Sequence, residues 1–380
     1  MKLDTNQQTF FELMRAGLWE NSVKFIGESL KLIESLDWEE VYKLAEEQSV
    51  LGLVLTGIDL LPYEQKPPKV LLLQWIGEVQ IIEQQNKVMN EFVAGLIEML
   101  RNQDVYAILA KGQGIAQCYE RPLWRSSGDV DLLLSEQNYE KAKTVLKPVA
   151  LDVEREYKSI KHLGMTMEGG FVVELHGTLH SCLSKRIDKE IDEVQLDVFY
   201  GGNVREWNNK GLIIFLPSPD NDVIFVFTHI LHHFFIDGIG LRQICDWCRL
   251  LWTYRDSLDR GLLEKRIQKM GLMTVWKAFA AFCVKYLGMP VDAMPFYSSD
   301  RTWDKKADRI CSFIMEVGNL GHNRDTSFYG KYPYIIRKVI SLVRRLGDLL
   351  RHATIFPLDS MRIFPYMMFN GLKSVVKGES

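Results

Sequence analysis

Two adjoining stretches, Val105-Tyr-Ala-Ile-Leu-Ala-Lys-Gly-Gln-Gly-Ile-Ala-Gln-Cys-Tyr119 and Arg125-Ser-Ser-Gly-Asp-Val-Asp-Leu-Leu133, decide how this chain folds. Val105 to Ala110 is a short apolar run closed by Lys111-Gly112, the pattern of a buried strand. Gly112 and Gly114 fall where that strand turns into a short helix. Without a Cβ, the backbone there can approach a ligand and present N–H groups to phosphate oxygens. Asp129 and Asp131 alternate with Val130 and Leu132, so on a strand the two carboxylates share one face and the apolar residues share the other. Carboxylates that close repel unless a cation lies between them. Mg²⁺, with Mn²⁺ as its substitute, is the hard, oxygen-seeking ion that suits such a pair and nucleotide phosphates together.

Outward from this centre the texture changes in both directions. From Gln7 to about Asn102 apolar residues return every three or four positions, which predicts helices throughout. Three prolines between Leu61 and Pro68 break the pattern before one long helix over Val70 to Leu100. On the other side, strands are predicted at Val130–Leu134, Ala150–Glu154, Phe171–Leu175, Gln195–Phe199 and Leu212–Leu216. After Pro217-Ser-Pro219 the chain reads as helical to its end, with Asp220 or Asn221 placed to cap a helix over Asp222 to Phe235. Breaks are expected at Gly238, Gly261, Gly271, Met289-Pro290 and Pro295, with a loop over Pro295 to Trp303. The chain is therefore read as α+β: an N-terminal helical region (1–104), a mixed α/β domain (105–217) and a C-terminal helical region (218–380).

Composition narrows the function classes. With 380 residues, 47% hydrophobic and 25% charged, the chain has material for a large core and resembles an ordinary globular protein. A formal net charge of −3 excludes a protein built mainly to neutralise a nucleic acid backbone. Neither a signal peptide nor a bilayer-spanning run is recognisable, which places the expected protein in the cytoplasm. Six scattered cysteines fit free thiols rather than a disulfide framework.

The arrangement of Lys111-Gly112 and Arg125-Ser-Ser-Gly-Asp-Val-Asp-Leu132 resembles the DNA polymerase beta-like nucleotidyltransferase superfamily. More narrowly, it is similar to a little-characterised bacterial nucleotidyltransferase family, over about Val105 to Arg255. The resemblance departs at Gln113, where the superfamily carries Gly or Ser. It implies a nucleotidyltransferase-like mixed β-sheet flanked by helical regions, with Asp129 and Asp131 as catalytic metal ligands. It also implies a third carboxylate from a neighbouring strand. Glu174 in Phe171-Val-Val-Glu-Leu-His176 is the first choice, as metal ligand or as general base toward the acceptor, with Asp152 and Glu168 in reserve. On this reading Lys111, Gly112, Gln113, Gly114, Arg125 and Gly128 bind the nucleotide. Lys111 has the alternative of pairing with a carboxylate inside the fold. His176 contacts phosphate or acceptor, or else is a hydrogen-bonded structural histidine.

Further along, His229, His232 and His233 precede Arg242 and Asp246. The histidines lack the intervening glutamate and third ligand of a zinc site. Arg242 and Asp246 are spaced to pair across one helical turn. In the resembling family a similar helix borders the nucleotide cleft, which makes His229, His232 and Arg242 further nucleotide-binding candidates. Cys245-Asp-Trp-Cys248 reads as buried structure, and Trp19, Trp38 and Trp75 as core anchors. Tyr334 to Arg351 reads as a basic, amphipathic helix, with Phe356, Phe364, Tyr366 and Met367-Met368-Phe369 behind it, that docks on its own domain, lies on an anionic membrane or holds a lipid-linked or polyanionic acceptor.

Together these features point to transfer of an NMP from an NTP to a hydroxyl or phosphate acceptor, with release of pyrophosphate and two metal ions at the site. A sugar or lipid-linked saccharide is among the acceptors this would suit. The alternative is a catalytically silent nucleotide-binding or scaffold protein on the same fold.

Overall fold

The computed structural model describes residues 3–19, 36–158, 160–319 and 332–376. Parts of both predicted helical regions, at 20–35 and 320–331, lie outside them. The N-terminal helices are α1 (Thr5–Leu18), α2 (Trp38–Glu47), α3 (Leu51–Asp59) and α4 (Lys69–Arg101). Asp4 and Gln7 close a capping box on α1, and Asp37 accepts from the first amides of α2. Helices α1 and α3 cross through glycines. A Cβ on Gly17 would lie 1.9 Å from the Leu53 carbonyl oxygen, and one on Gly57 would lie 2.1 Å from that of Leu13. Along α4, Leu71, Trp75, Val79, Asn86, Val93, Ile97 and Leu100 form the buried stripe, and Asn86 is its only polar member.

The sheet follows. Its elements are β1 (Ala107–Ala110), α5 (Gly112–Ala116), β2 (Val130–Leu134), α6 (Glu136–Leu146), β3 (Asp152–Val153), β4 (His162–Thr166) and β5 (Val172–His176). Strand order is β1-β2-β5-β4-β3, with β2 and β5 parallel and the other neighbours antiparallel. Period-2 alternation sorts the side chains by face. Val130, Leu132, Leu134, Val173 and Leu175 enter a core shared with Val93 and Ile97 of α4 and Tyr139 and Leu146 of α6. The opposite face carries the acidic positions.

Next come α7 (Lys185–Tyr200) and a separate hairpin of β6 (Val204–Asn209) and β7 (Leu212–Pro217). Two strand expectations are corrected here. Gln195–Phe199 is helical, because Ile187, Ile191, Val194 and Val198 recur at helical spacing and are buried together, with Ser184 capping the helix. The predicted strand at 150–154 shrinks to Asp152–Val153, both exposed. Strands β4 and β6 were not predicted, since His162-Leu-Gly-Met-Thr166 and Val204-Arg-Glu-Trp-Asn-Asn209 lack an apolar run.

The C-terminal helices are α8 (Pro219–Ile236), α9 (Leu241–Thr253), α10 (Arg260–Met270), α11 (Met273–Leu287), α12 (Arg301–Val317), α13 (Tyr334–Ile355) and α14 (Pro357–Val376). Helix α8 starts earlier than predicted, with Ser218 at the N-cap position and Pro219 in the first turn. Neither Asp220 nor Asn221 caps it: Asp220 Oδ1 accepts from the Asp259 amide at 2.8 Å. Asn221 and its neighbour Asp222 are buried, taken by Arg266 Nη1 at 2.8 Å and Arg205 Nη2 at 2.5 Å. Gly261 lies inside the first turn of α10 rather than at a break, and α12 begins at Arg301, within the predicted loop. One apolar core runs from Phe10 through Ile108, Leu133 and Trp247 to Ile363, so the helices before and after the sheet pack together beside its acidic face. The six cysteines are free thiols, and both Cys245 and Cys248 are buried in this core.

Candidate functional site

A cleft of about 620 Å³ opens between the acidic face of the sheet and helices α8 and α9. The sheet register builds its first wall. Asp131 lies opposite Glu174 across the parallel β2–β5 pair, and His176 lies opposite His162 across β5–β4. Residues opposite one another on neighbouring strands share a face, so strands distant in sequence deliver their polar groups to one place. Asp129, immediately before β2, and Lys111 and Gly112, immediately after β1, complete this wall.

The groups are tightly linked. Lys111 Nζ lies 2.9 Å from Asp131 Oδ1 and His176 Nε2 lies 2.8 Å from the same oxygen. His176 and His162 each place Nε2 3.3 Å from Glu174 Oε2, with the two rings 4.9 Å apart. Burial by itself would raise the Asp131 carboxyl, but Lys111 and the hydrogen-bonded His176 outweigh it and hold Asp131 far below the usual carboxylate range. Glu174 resists burial in the same way through His162 and His176, and falls to about 2. His176, which burial would make harder to protonate, is pushed up instead by Asp131 and Glu174. Asp129 goes the other way: desolvation, then the charges of Glu174 and Asp131, push its carboxyl up against Lys111 and Arg242.

This pattern fits a cation. Three carboxylates are close enough for two of them to raise the third. Among the described residues, no hydrogen bond or ion pair engages Asp131 Oδ2, Glu174 Oε1 or either Asp129 oxygen. Those oxygens are hard donors of the kind Mg²⁺ or Mn²⁺ takes. His162, Glu174 and His176 also bring ligand atoms within 4.8 Å of one another, a nitrogen-rich set that differs from the carboxylate trio expected from the sequence.

The second wall is helical. His229, His232, His233 and Arg242 line it. Burial, followed by the positive charge of Lys111, pushes His229 well below the ordinary imidazole value. His232 is lowered mainly by burial, and its Nδ1 donates to the Ser181 carbonyl at 2.7 Å. Arg242 does not pair with Asp246 along the helix as expected; its Nη1 donates to the Ser126 carbonyl at 2.8 Å. Asp246 instead receives Arg125, through Nε to Oδ1 and Nη2 to Oδ2, both at 2.7 Å, and its Oδ1 also accepts from Tyr119 at 2.8 Å. Both members of the Arg125–Asp246 pair are buried.

The sequence-predicted residues therefore divide. Lys111, Gly112, Arg125, Gly128, Asp129, Asp131, Glu174, His176, His229, His232 and Arg242 line one cleft. Within it, Arg125 spends its guanidinium on Asp246 and, through Nη1, on the Ser126 carbonyl at 3.2 Å, which positions the loop before Asp129. Gln113 and Gly114 are not among the lining residues. Gln113 is buried and donates to Asn86 Oδ1 at 3.0 Å, while Asn86 Nδ2 donates to the carbonyls of Leu123 and Arg125, each at 2.8 Å. It is thus a strut between α5, α4 and the loop ahead of the paired aspartates. Gly114 serves packing, since a Cβ there would lie 2.7 Å from Leu216 Cδ2 of β7. The reserve carboxylates Asp152 and Glu168 are exposed and outside the cleft.

His162, Thr178, His180 and Ser181 also line the cleft, though the sequence reading passed over them. For His162 the missing information was the strand itself. For Asn86 a signal existed, because a polar residue on an otherwise apolar helix stripe needs a partner.

No curated protein and no solved structure matches the chain. Residues 34–288 match the family described as uncharacterised nucleotidyltransferase, which spans more than half of the chain and takes in both walls of the cleft. The chain belongs to this nucleotidyltransferase family.

Proposed function

We propose that the protein moves an NMP from an NTP to an acceptor hydroxyl or phosphate in a metal-dependent reaction, with pyrophosphate as the leaving group. The observation that carries this reading is the convergence of Asp129, Asp131 and Glu174, each with a carboxylate oxygen to spare, beside Lys111 on one wall of a nucleotide-sized cleft. Divalent cations held by those oxygens would neutralise the triphosphate and acidify the acceptor.

The chain's own groups divide the remaining work. The acceptor oxygen attacks the α-phosphorus, its bond to the bridging oxygen breaks, and pyrophosphate carries the bond electrons away. Lys111, pinned on Asp131, supplies fixed positive charge beside the phosphates. His176, with its raised proton affinity, holds one oxygen each of Asp131 and Glu174 in place. Glu174, ionised down to a pH of about 2, is a poor proton acceptor and serves as a ligand rather than a base. Cations on these oxygens would cancel the Glu174 and Asp131 charges that raise Asp129, so Asp129 joins them as a ligand, and the proton of the acidified acceptor leaves to water. On the opposite wall, His229 and His232 offer hydrogen bonds beside the Arg242 cation, which suits an acceptor that carries hydroxyls together with an anionic group.

The test is NTP binding with and without Mg²⁺ in the wild type and in the Asp129→Ala/Asp131→Ala protein, followed by incubation with labelled NTPs and cell extract. Mg²⁺ should tighten NTP binding only in the wild type, and label should appear on an acceptor. If Mg²⁺ leaves wild-type affinity unchanged, the metal-dependent reading fails.

A further inference from the structure

The C-terminal helices α13 and α14 form a hairpin joined at Phe356. One side of it is fastened to the rest of the molecule. The His352 ring packs 4.7 Å from Phe234 of α8 and 4.6 Å from Phe313 of α12, and Arg351 reaches Glu316 at 2.7 Å. Lys306 donates to the Ile355 carbonyl, and Tyr366 reaches Asp188, 3.4 Å away.

The other side is apolar and uncovered. On α13 the exposed residues Ile336, Val343, Leu346 and Leu350 fall within one arc of the helix, with Val343 62% and Leu350 71% accessible. On α14 Leu358, Met361, Met368 and Phe369 form a second arc, with Met361 73% and Phe369 64% accessible. Scattered exposed leucines need no explanation, but two consecutive helices that each gather exposed apolar residues on one arc do.

Charge indicates what covers them. Residues 334–376 hold seven Lys and Arg against two Asp, in a chain whose formal net charge is −3. Positive charge is therefore concentrated in the segment that exposes the apolar stripes. Two such hairpins would repel one another, which disfavours a second copy of the chain as the occupant. A surface that is both apolar and negatively charged satisfies both halves of the pattern. Among the described residues no helix is long and apolar enough to cross a membrane, so the contact would lie along the surface.

We infer that the α13–α14 hairpin docks the protein on an anionic lipid bilayer, with the apolar stripes entering the headgroup boundary and the basic residues meeting lipid phosphates. This is independent of the reaction proposed for the cleft. Exposed Arg362, one position after Met361, is placed to contribute.

The full chain is tested by flotation with vesicles of phosphatidylcholine alone and of equal parts phosphatidylcholine and phosphatidylglycerol. Binding is expected to the anionic vesicles only, and to fall by about tenfold or more as salt is raised. Val343→Glu/Leu350→Glu and Met361→Glu/Phe369→Glu proteins should each lose about tenfold or more in vesicle affinity with unchanged melting curves. Arg362→Glu should weaken binding less. The milder Leu350→Ser/Met361→Ser protein, expected to bind weakly, serves if a glutamate variant melts early. The inference is overturned if the wild type floats with neither vesicle, or if the variants bind as the wild type does. It is also overturned if sedimentation shows a dimer that the variants abolish while lipid binding is absent.

Discussion

On the sheet wall of the cleft, Asp131 and Glu174 are held ionised by Lys111, His176 and His162. On the helical wall burial disfavours the charged forms of His229 and His232, and the strong ion pair, Arg125 with Asp246, is buried with Tyr119. The sheet wall keeps its charges where a ligand can meet them. On the helical side the charges of Arg125 and Asp246 are spent on each other and fix the loop that carries Gly128 and Asp129. In the proposed reaction the difference separates two jobs, reacting and positioning, between residues of similar type on neighbouring walls.

The largest expected effect breaks the positioning side. Arg125→Met leaves Asp246 buried without its partner, which should cost about 3–5 kcal/mol of stability by chemical denaturation. Adding Asp246→Leu should restore most of that loss, because no unpaired charge is then buried. If the single and double variants melt alike, the pair is not the brace described. Next, Asp131→Asn tests the reacting side. It keeps the shape but leaves Lys111 and His176 without their shared anion, and turnover measured by pyrophosphate release should fall on the order of 10²–10³-fold. Turnover near the wild-type rate would place the chemistry elsewhere.

Gln113→Ala sharpens the division, since it removes the donor to buried Asn86 without touching the cleft. A loss of about 1–3 kcal/mol in stability is expected, with unchanged NTP affinity in the folded protein. Weakened NTP binding with intact stability would instead make Gln113 a phosphate contact. The pH dependence follows from the signs of the shifts. The raised proton affinity of His176 stabilises the fold fully below its unfolded value of 6.5, and that contribution is lost as pH rises through the raised folded value. Glu174, depressed from 4.5 to about 2, contributes above 4.5 and loses its contribution as pH falls toward 2. The stability gap between wild type and His176→Gln should accordingly be widest between pH 4.5 and 6.5 and narrow as pH rises further through the raised folded value; a gap that grows above pH 6.5 contradicts the arrangement. The smallest effect is expected from Gly114→Ala, which presses on the flexible end of Leu216 and should cost about 1 kcal/mol without altering turnover.

Much of the reacting wall was legible because its signals are local. The apolar run before Lys111-Gly112, the alternation through Asp129-Val-Asp131 and the Glu-x-His pair at 174 and 176 each specify a strand and a face. The helical wall was legible only in part. His229 and Arg242 could be placed on helices, but nothing in Arg125 or Asp246 marks them as partners 121 positions apart in the chain. His162 was invisible for another reason: β4 has two polar ends and a glycine, and becomes a strand only because β3 and β5 offer hydrogen bonds on both sides. Gln195–Phe199 was misread because a five-residue window catches the bulky residues but misses the longer period set by Ile187, Ile191, Val194 and Val198.

The sequence by itself determined the order of elements through β2, the shared face of Asp129 and Asp131, and the candidacy of Glu174, since period and local chemistry are carried by neighbouring residues. Only the tertiary structure decided which group each charge meets. It made Gln113 a strut, turned Gly114 to packing, gave Asp246 to Arg125 and brought His162 to Glu174. Those outcomes depend on strand register and on helices returning from far along the chain, where distance in sequence says little about distance in space.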